Sequence, residues 1–192
     1  MFYHASNIKN LSILTPHISN HGKSWIYFSD KKENVLVYLS NAVEKYIKEK
    51  YNRPLKQYIK WASYGFMPDG RLRIEEYYPN ATKETFEGID GYIYKVKQLN
   101  NIQTINDIKN VFVTQESVKI NECEYITDAY QEILKAEKCG KIVIEKFENI
   151  TQNKKQWIEN TIINEYSNTT NEDYTEFLLD KFIWLKDKLH IN

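Results

Sequence analysis

The stretch Ser24-Trp25-Ile26-Tyr27-Phe28-Ser29-Asp30-Lys31-Lys32-Glu33-Asn34-Val35-Leu36 decides the fold class. Residues 25–28 are a compact β-branched and aromatic run bounded by two serines, which is the composition of a strand. Asp30 and Glu33 then have the spacing of a capping box: the aspartate oxygen accepts a helix amide, and the glutamate reaches back to the cap's own N–H. Val35, Leu36, Leu39, Val43, Tyr46 and Ile47 follow on one face at helical spacing, which predicts a helix over 31–50.

Outward from this unit, residues 2–4 are short and aromatic and predict a strand, and 5–24 carry turn formers, Pro16 and Gly22 among them, and predict a long connection. Residues 60–66 and 71–78 predict a β-hairpin around Met67-Pro68-Asp69-Gly70, closed by Pro79. A helical turn at 82–88 and an alternating strand at 91–96 come next, then an Asn-rich loop at 99–110 and strands at 111–114 and 118–126. Residues 128–138 predict a helix with Thr127 as N-cap and Gly140 at its end, before a strand at 141–147. Two closing helices at 152–167 and 172–188 are anchored inward by Trp157, Ile158, Ile162, Phe177, Leu178, Phe182 and Leu185. Strands, one early helix, more strands and a final helical pair define an α+β chain with a mostly antiparallel sheet, not a regular βαβ alternation.

With 192 residues and no linker-like segment, the expectation is a single domain, with a core over 1–150 and a helical extension over 151–192. Lys and Arg together number 26, as do Asp and Glu, and only Arg53, Arg71 and Arg73 are arginines, so there is no strong nucleic-acid signature. The apolar runs are too short to span a membrane, and the N-terminus lacks a basic segment followed by an apolar one. Cys123 and Cys139 fit no disulfide framework and no zinc spacing. A cytoplasmic protein with reduced thiols is the expectation. The glycine-rich dinucleotide and P-loop phosphate cradles, the His-Glu-x-x-His zinc helix and the Gly-x-Ser-x-Gly elbow are absent from the sequence.

Two segments stand out for chemistry: Tyr3-His4-Ala5-Ser6, and Ile26-Tyr27-Phe28-Ser29 running into the helix. In this order, separated by a proline-containing loop, they resemble the small ADP-ribosyltransferase-like enzymes of the His-Tyr-Glu group, among which are rifampin ADP-ribosyltransferase and RNA 2′-phosphotransferase. Ala5 stands where glycine is usual, and serine replaces threonine. The resemblance covers residues 1–50 well and 91–126 loosely.

The resemblance implies a split-sheet cleft that binds NAD as substrate and cleaves its bond to nicotinamide, with transfer of ADP-ribose to an unknown acceptor. It makes His4 the anchor for ribose hydroxyls, helped by Ser6, and Tyr27 the aromatic that packs on the nicotinamide ring, with Ser29 beside it on the cofactor side. A flat cationic ring does prefer an aromatic face. The catalytic acid falls to the Glu-x-Glu of Glu122 and Glu124, with Glu124 the carboxylate that stabilises the oxocarbenium-like transition state. Three other readings stay open: Glu122 and Glu124 as the solvated face of an edge strand, His17 and His21 as a solvated loop and not a metal pair, and one of Glu75 and Glu76 facing a cleft. The alternatives in function are a non-catalytic nucleotide- or ADP-ribose-binding module, or an interaction protein of a phage or mobile element.

Overall fold

The computed structural model describes residues 1–18, 22–61, 63–105 and 108–190, so His21 lies outside the described residues. In chain order the elements begin with β1 (Phe2–Ser6), β2 (Ile13–Leu14), β3 (His17–Ile18) and β4 (Ser24–Ser29), followed by a 3-10 helix at Lys32–Tyr38. Next come α1 (Ala42–Tyr51), β5 (Tyr64–Phe66), β6 (Leu72–Glu75), α2 (Ala81–Phe86), β7 (Gly91–Val96) and β8 (Gln103–Thr104). The chain continues through β9 (Val111–Thr114), β10 (Val118–Lys119), β11 (Glu122–Ile126), α3 (Ala129–Lys138) and β12 (Ile142–Glu145). It ends with α4 (Gln152–Asn168), α5 (Glu172–Lys181) and α6 (Trp184–Leu189). The protein is a mixed α+β chain with antiparallel pairing in its sheets. No described helix is long and apolar enough to cross a membrane.

Contacts divide the chain into two compact units. Met1–Leu39, Tyr64–Ile74 and Phe86–Val143 form the first; Ser40–Ser63, Glu75–Thr85 and Ile144–Asn192 form the second. The first unit is built on a sheet of strand order β11-β7-β1-β4-β9-β8, with β3 paired to β4. Its register fixes which side chains share a face, because cross-strand partners point the same way. The pairs His4↔Tyr94↔Cys123 and Phe2↔Val96 put Phe2, His4, Ser6, Tyr94 and Val96 on one face, where Ile26 and Phe28 join them in a core cluster with Leu14 and Val118. The pairs Tyr3↔Ser29, Tyr3↔Lys95↔Glu122 and Ala5↔Ile93↔Glu124 put the alternate residues on the other face. Gly91 lies on that second face, where a Cβ would come within 2.6 Å of Leu39 Cδ2, so a larger residue there requires the Leu39 side chain to shift.

The single helix expected over 31–50 is instead two helices of different kind. Asp30 and Glu33 form no capping box: Lys31 is the cap residue without a side-chain bond, and Glu33 accepts from Lys141 Nζ at 2.5 Å. Asn34, Val35, Leu36 and Val37 are buried in succession, so the segment has no solvent face and does not follow an amphipathic α-helical pattern. Asn34 Nδ2 donates to the Gly70 carbonyl at 3.1 Å, a tertiary bond that local periodicity does not reveal. The regular α-helix starts only at Ala42, after Asn41 has turned its Nδ2 to the Ile59 carbonyl at 2.6 Å.

The hairpin at β5 and β6 forms, shorter than expected, with Tyr64↔Ile74 in register. Its turn closes through Met67 N to Arg71 O at 2.8 Å, with Gly70 at φ +86°. The expected strand at 118–126 breaks into β10 and β11, because Ile120 N turns to Ser12 O and Asn121 N to Lys95 O. Asp128, not Thr127, caps α3, accepting from Gln131 N at 3.0 Å. The last expected helix ends at Lys181, and α6 follows as a separate turn.

The second unit gathers α1 and the C-terminal helices around one core, with Ile47, Ile158, Ile162, Phe177, Leu178, Phe182 and Leu185 buried. The terminal helices therefore share a core with residues more than a hundred positions upstream instead of forming an extension of their own. Trp157 does not point inward as expected; it is half exposed and sits edge-on to Tyr77. Asp173 is buried but compensated, taking Arg53 Nη2 at 2.5 Å and Lys56 N at 2.7 Å. The Arg53 bond holds its carboxyl pKa below the usual aspartate value, against the burial that would raise it. Glu75 and Glu76 are buried and engaged: Lys154 lies 3.1 Å from Glu75, and Glu76 accepts from Thr82 N and Phe147 N.

Gly70 supplies a direct test of this packing. A Cβ there would meet Asn110 Nδ2 at 2.1 Å, whereas one at Gly88, also at positive φ, would meet nothing within 4 Å. Gly88→Ala should cost only the left-handed backbone penalty, about 1–2 kcal/mol. Gly70→Ala should cost measurably more in urea unfolding, because it also displaces the Asn110 side chain that donates to the Gly70 carbonyl at 3.2 Å.

Candidate functional site

β1 and β4 meet at Tyr3↔Ser29 and then part company: β1 runs on beside β7 as far as Ser6, and β4 runs back beside β9 to Ile26. The His4 side chain spans the opening, its Nδ1 lying 2.9 Å from the Tyr27 carbonyl oxygen. A carbonyl only accepts, so Nδ1 carries the proton and Nε2 keeps its lone pair. No described residue bonds Nε2. Burial lowers the His4 pKa, the Tyr27 carbonyl opposes this in part, and the neighbouring His17 lowers it further. The imidazole is therefore a neutral acceptor near pH 7.

His4 lines a cavity of about 280 Å³ between β1, β4 and the β2–β3 segment. Ser6, Leu14, Thr15, His17 and Trp25 line it with His4, and Tyr27 borders it; among the described residues no Lys, Arg, Asp or Glu does. Ser6 Oγ accepts from Ile8 N at 3.1 Å and keeps its proton for a further acceptor. Thr15 Oγ1 and His17 Nε2 lie 3.4 Å apart at the opposite wall. Three exposed isoleucines, Ile8, Ile13 and Ile18, also contribute to the lining. The volume is at the small end of ligand pockets, which run from about 300 to 1,000 Å³.

The structure brings His4 and Ser6 together but separates them from the remaining expected residues. Tyr27 is adjacent to His4 through its carbonyl, while its side chain belongs to the opposite face of β4. There its ring packs edge-on to Trp25, with centroids 6.0 Å apart. Its hydroxyl is buried without a hydrogen-bond partner among the described residues. Ser29 Oγ is fully engaged, donating to Asn110 O at 2.6 Å and accepting from Lys31 N at 3.1 Å. Glu122 and Glu124 lie on the sheet face opposite His4, and β11 is an edge strand. Burial raises the Glu124 pKa, but hydrogen bonds from Lys32 and then Lys95 outweigh it and the net pKa is lowered. A carboxylate clamped by two ammonium groups is a structural ion pair, and it is poorly placed to serve a ligand beside His4.

Sequence reading missed Thr15 and Trp25 as lining residues and the two lysines on Glu124. Neither carried a signal in the sequence: strand parity puts Trp25 with Tyr27 and not with His4, and the pairing of the lysines depends on long-range register. Among the described residues no group of three or more His, Cys, Asp or Glu is placed to hold a metal ion. Comparison of the chain with family models, curated proteins and solved structures finds no match.

The tautomer and its titration are measurable. Nitrogen-detected NMR should show His4 protonated on Nδ1, with a midpoint below 6.5. An unfolded histidine binds its proton near pH 6.5. The unfolded state therefore takes up protons first as pH falls, and stability present above about pH 6.5 is lost toward the lower folded value. Urea unfolding at pH 7 and pH 5 should show this loss, and it should be smaller in His4→Gln.

Proposed function

We propose that the chain is a binding module whose β1–β4 cleft holds a neutral, hydroxyl-bearing ring ligand of nucleoside size. The observation that carries this reading is the neutral His4 imidazole, its Nε2 lone pair unclaimed, in the wall of a cavity without charged side chains. Such an acceptor selects a ligand O–H or N–H donor, and the apolar lining by Leu14 and Ile26 suits the ring. A bound ligand covers this acceptor, and covering it without supplying a donor is costly, so a ligand that supplies the donor is discriminated from one that lacks it.

NAD cleavage with ADP-ribosyl transfer, as the resemblance implies, is the second reading. Its support is the motif order and the opening of the sheet beside His4. The opposed placement and ion pairing of Glu122 and Glu124 speak for the first.

Calorimetry with adenosine, ADP-ribose and NAD, together with a chromatographic assay for nicotinamide, separates the two. On the first reading adenosine binds, and His4→Ala weakens it by roughly 1–2 kcal/mol, about tenfold. Tyr27→Phe leaves adenosine binding unchanged, and no nicotinamide is released. Nicotinamide release that Glu124→Gln abolishes would replace the binding module with the transferase.

A further inference from the structure

We propose that a second cavity in the first unit is a phosphate site. It has a volume of about 430 Å³, and its walls include Lys97, Asn100, Glu116, Ser117, Lys119 and Asn121. Neither Lys97 nor Lys119 has a carboxylate partner among the described residues, whereas Lys32, Lys95 and Lys141 in the same unit are all paired. The one acid in the wall, Glu116, already accepts a hydrogen bond from Asn101. Asn121 Oδ1 accepts from Lys97 N at 2.8 Å, which leaves the donor end of its amide for a ligand.

Two ammonium groups, two amides and a hydroxyl around one space make a donor-rich, net positive site. That is the chemistry that binds an anion with several oxygens, and a phosphate or diphosphate fits it better than a single carboxylate. The site also has a defined position. β10 forms one wall and pairs with β2 through Leu14↔Val118 and Ile13↔Lys119. Ile13 and Leu14 line the His4 cavity. The two cavities therefore flank one two-stranded ribbon, whose strands lie about 4.7–4.9 Å apart. Ile13, which lines the His4 cavity, is the register partner of Lys119, which lines the phosphate site, so one cross-strand pair borders both and a nucleotide is the candidate ligand. This last step rests on the binding-module reading; the phosphate site itself does not.

The test is an NMR titration of the full chain with pyrophosphate, adenosine and ADP, repeated on the Lys97→Gln, Lys119→Gln double variant, whose substitutions are on exposed side chains. Pyrophosphate should shift amide signals within 97–100 and 116–121, and its Kd should rise at least tenfold in the double variant and with salt. If both sites serve one ligand, ADP binds at least tenfold more tightly than adenosine, and the double variant removes that gain. Pyrophosphate shifts with no gain for ADP mean a phosphate site that serves a separate ligand, and the site stands. Pyrophosphate shifts that are absent, or spread over lysines across the surface and indifferent to the double substitution, overturn it whatever adenosine does. Absence of adenosine binding alone counts against the His4 cavity and not against the phosphate site.

Discussion

In the first unit one hydrogen bond, from His4 Nδ1 to the Tyr27 carbonyl, bridges the place where β1 and β4 part. Two central strands that diverge leave backbone groups without ladder partners, and each buried unpaired group costs roughly 1–3 kcal/mol. A side chain that reaches across the opening satisfies one of them while holding the strands apart. The same bond fixes the imidazole tautomer, and with it the acceptor that faces a ligand. Fold and candidate chemistry thus meet in one residue. Phe28 supports its position, with ring centroids 5.8 Å apart on the same face.

Much of the architecture was legible because it is local. Strand β7 forms at the bounds its alternation predicts, the β5–β6 turn carries its proline and glycine, and α4 starts at Gln152 as its spacing predicts. What was not legible is non-local. The stretch after Asp30 has helical periodicity, yet its buried run and the Asn34–Gly70 bond impose a tighter helix that stops at Tyr38. Likewise, helical spacing marks Trp157 and Ile158 alike as apolar, but only the packing around Phe177 and Leu178 decides that Ile158 is buried and Trp157 is half exposed.

The candidate site shows the same division more sharply. Motif order drew attention to His4 and Ser6, which line one cavity. Face assignment needed the register between β1, β7 and β11, which the sequence does not state. One residue of offset between His4 and Tyr3 separates a cavity wall from the charged surface that carries Lys95, Glu122 and Glu124. A period of two makes such assignments all or none: no small adjustment of a strand moves Glu124 to the His4 side.

The opening between β1 and β4 also has a mechanical consequence. On one side, β1, β7 and β11 bond to each other along their lengths; on the other, β4 and β9 do. The junction between these halves holds one ladder pair and one side-chain bond. Side-chain packing therefore carries most of the connection between the halves: Ile26 and Phe28 from one and Tyr94 and Val96 from the other lie in a single buried cluster, so the core and not a backbone ladder sets the width of the cavity.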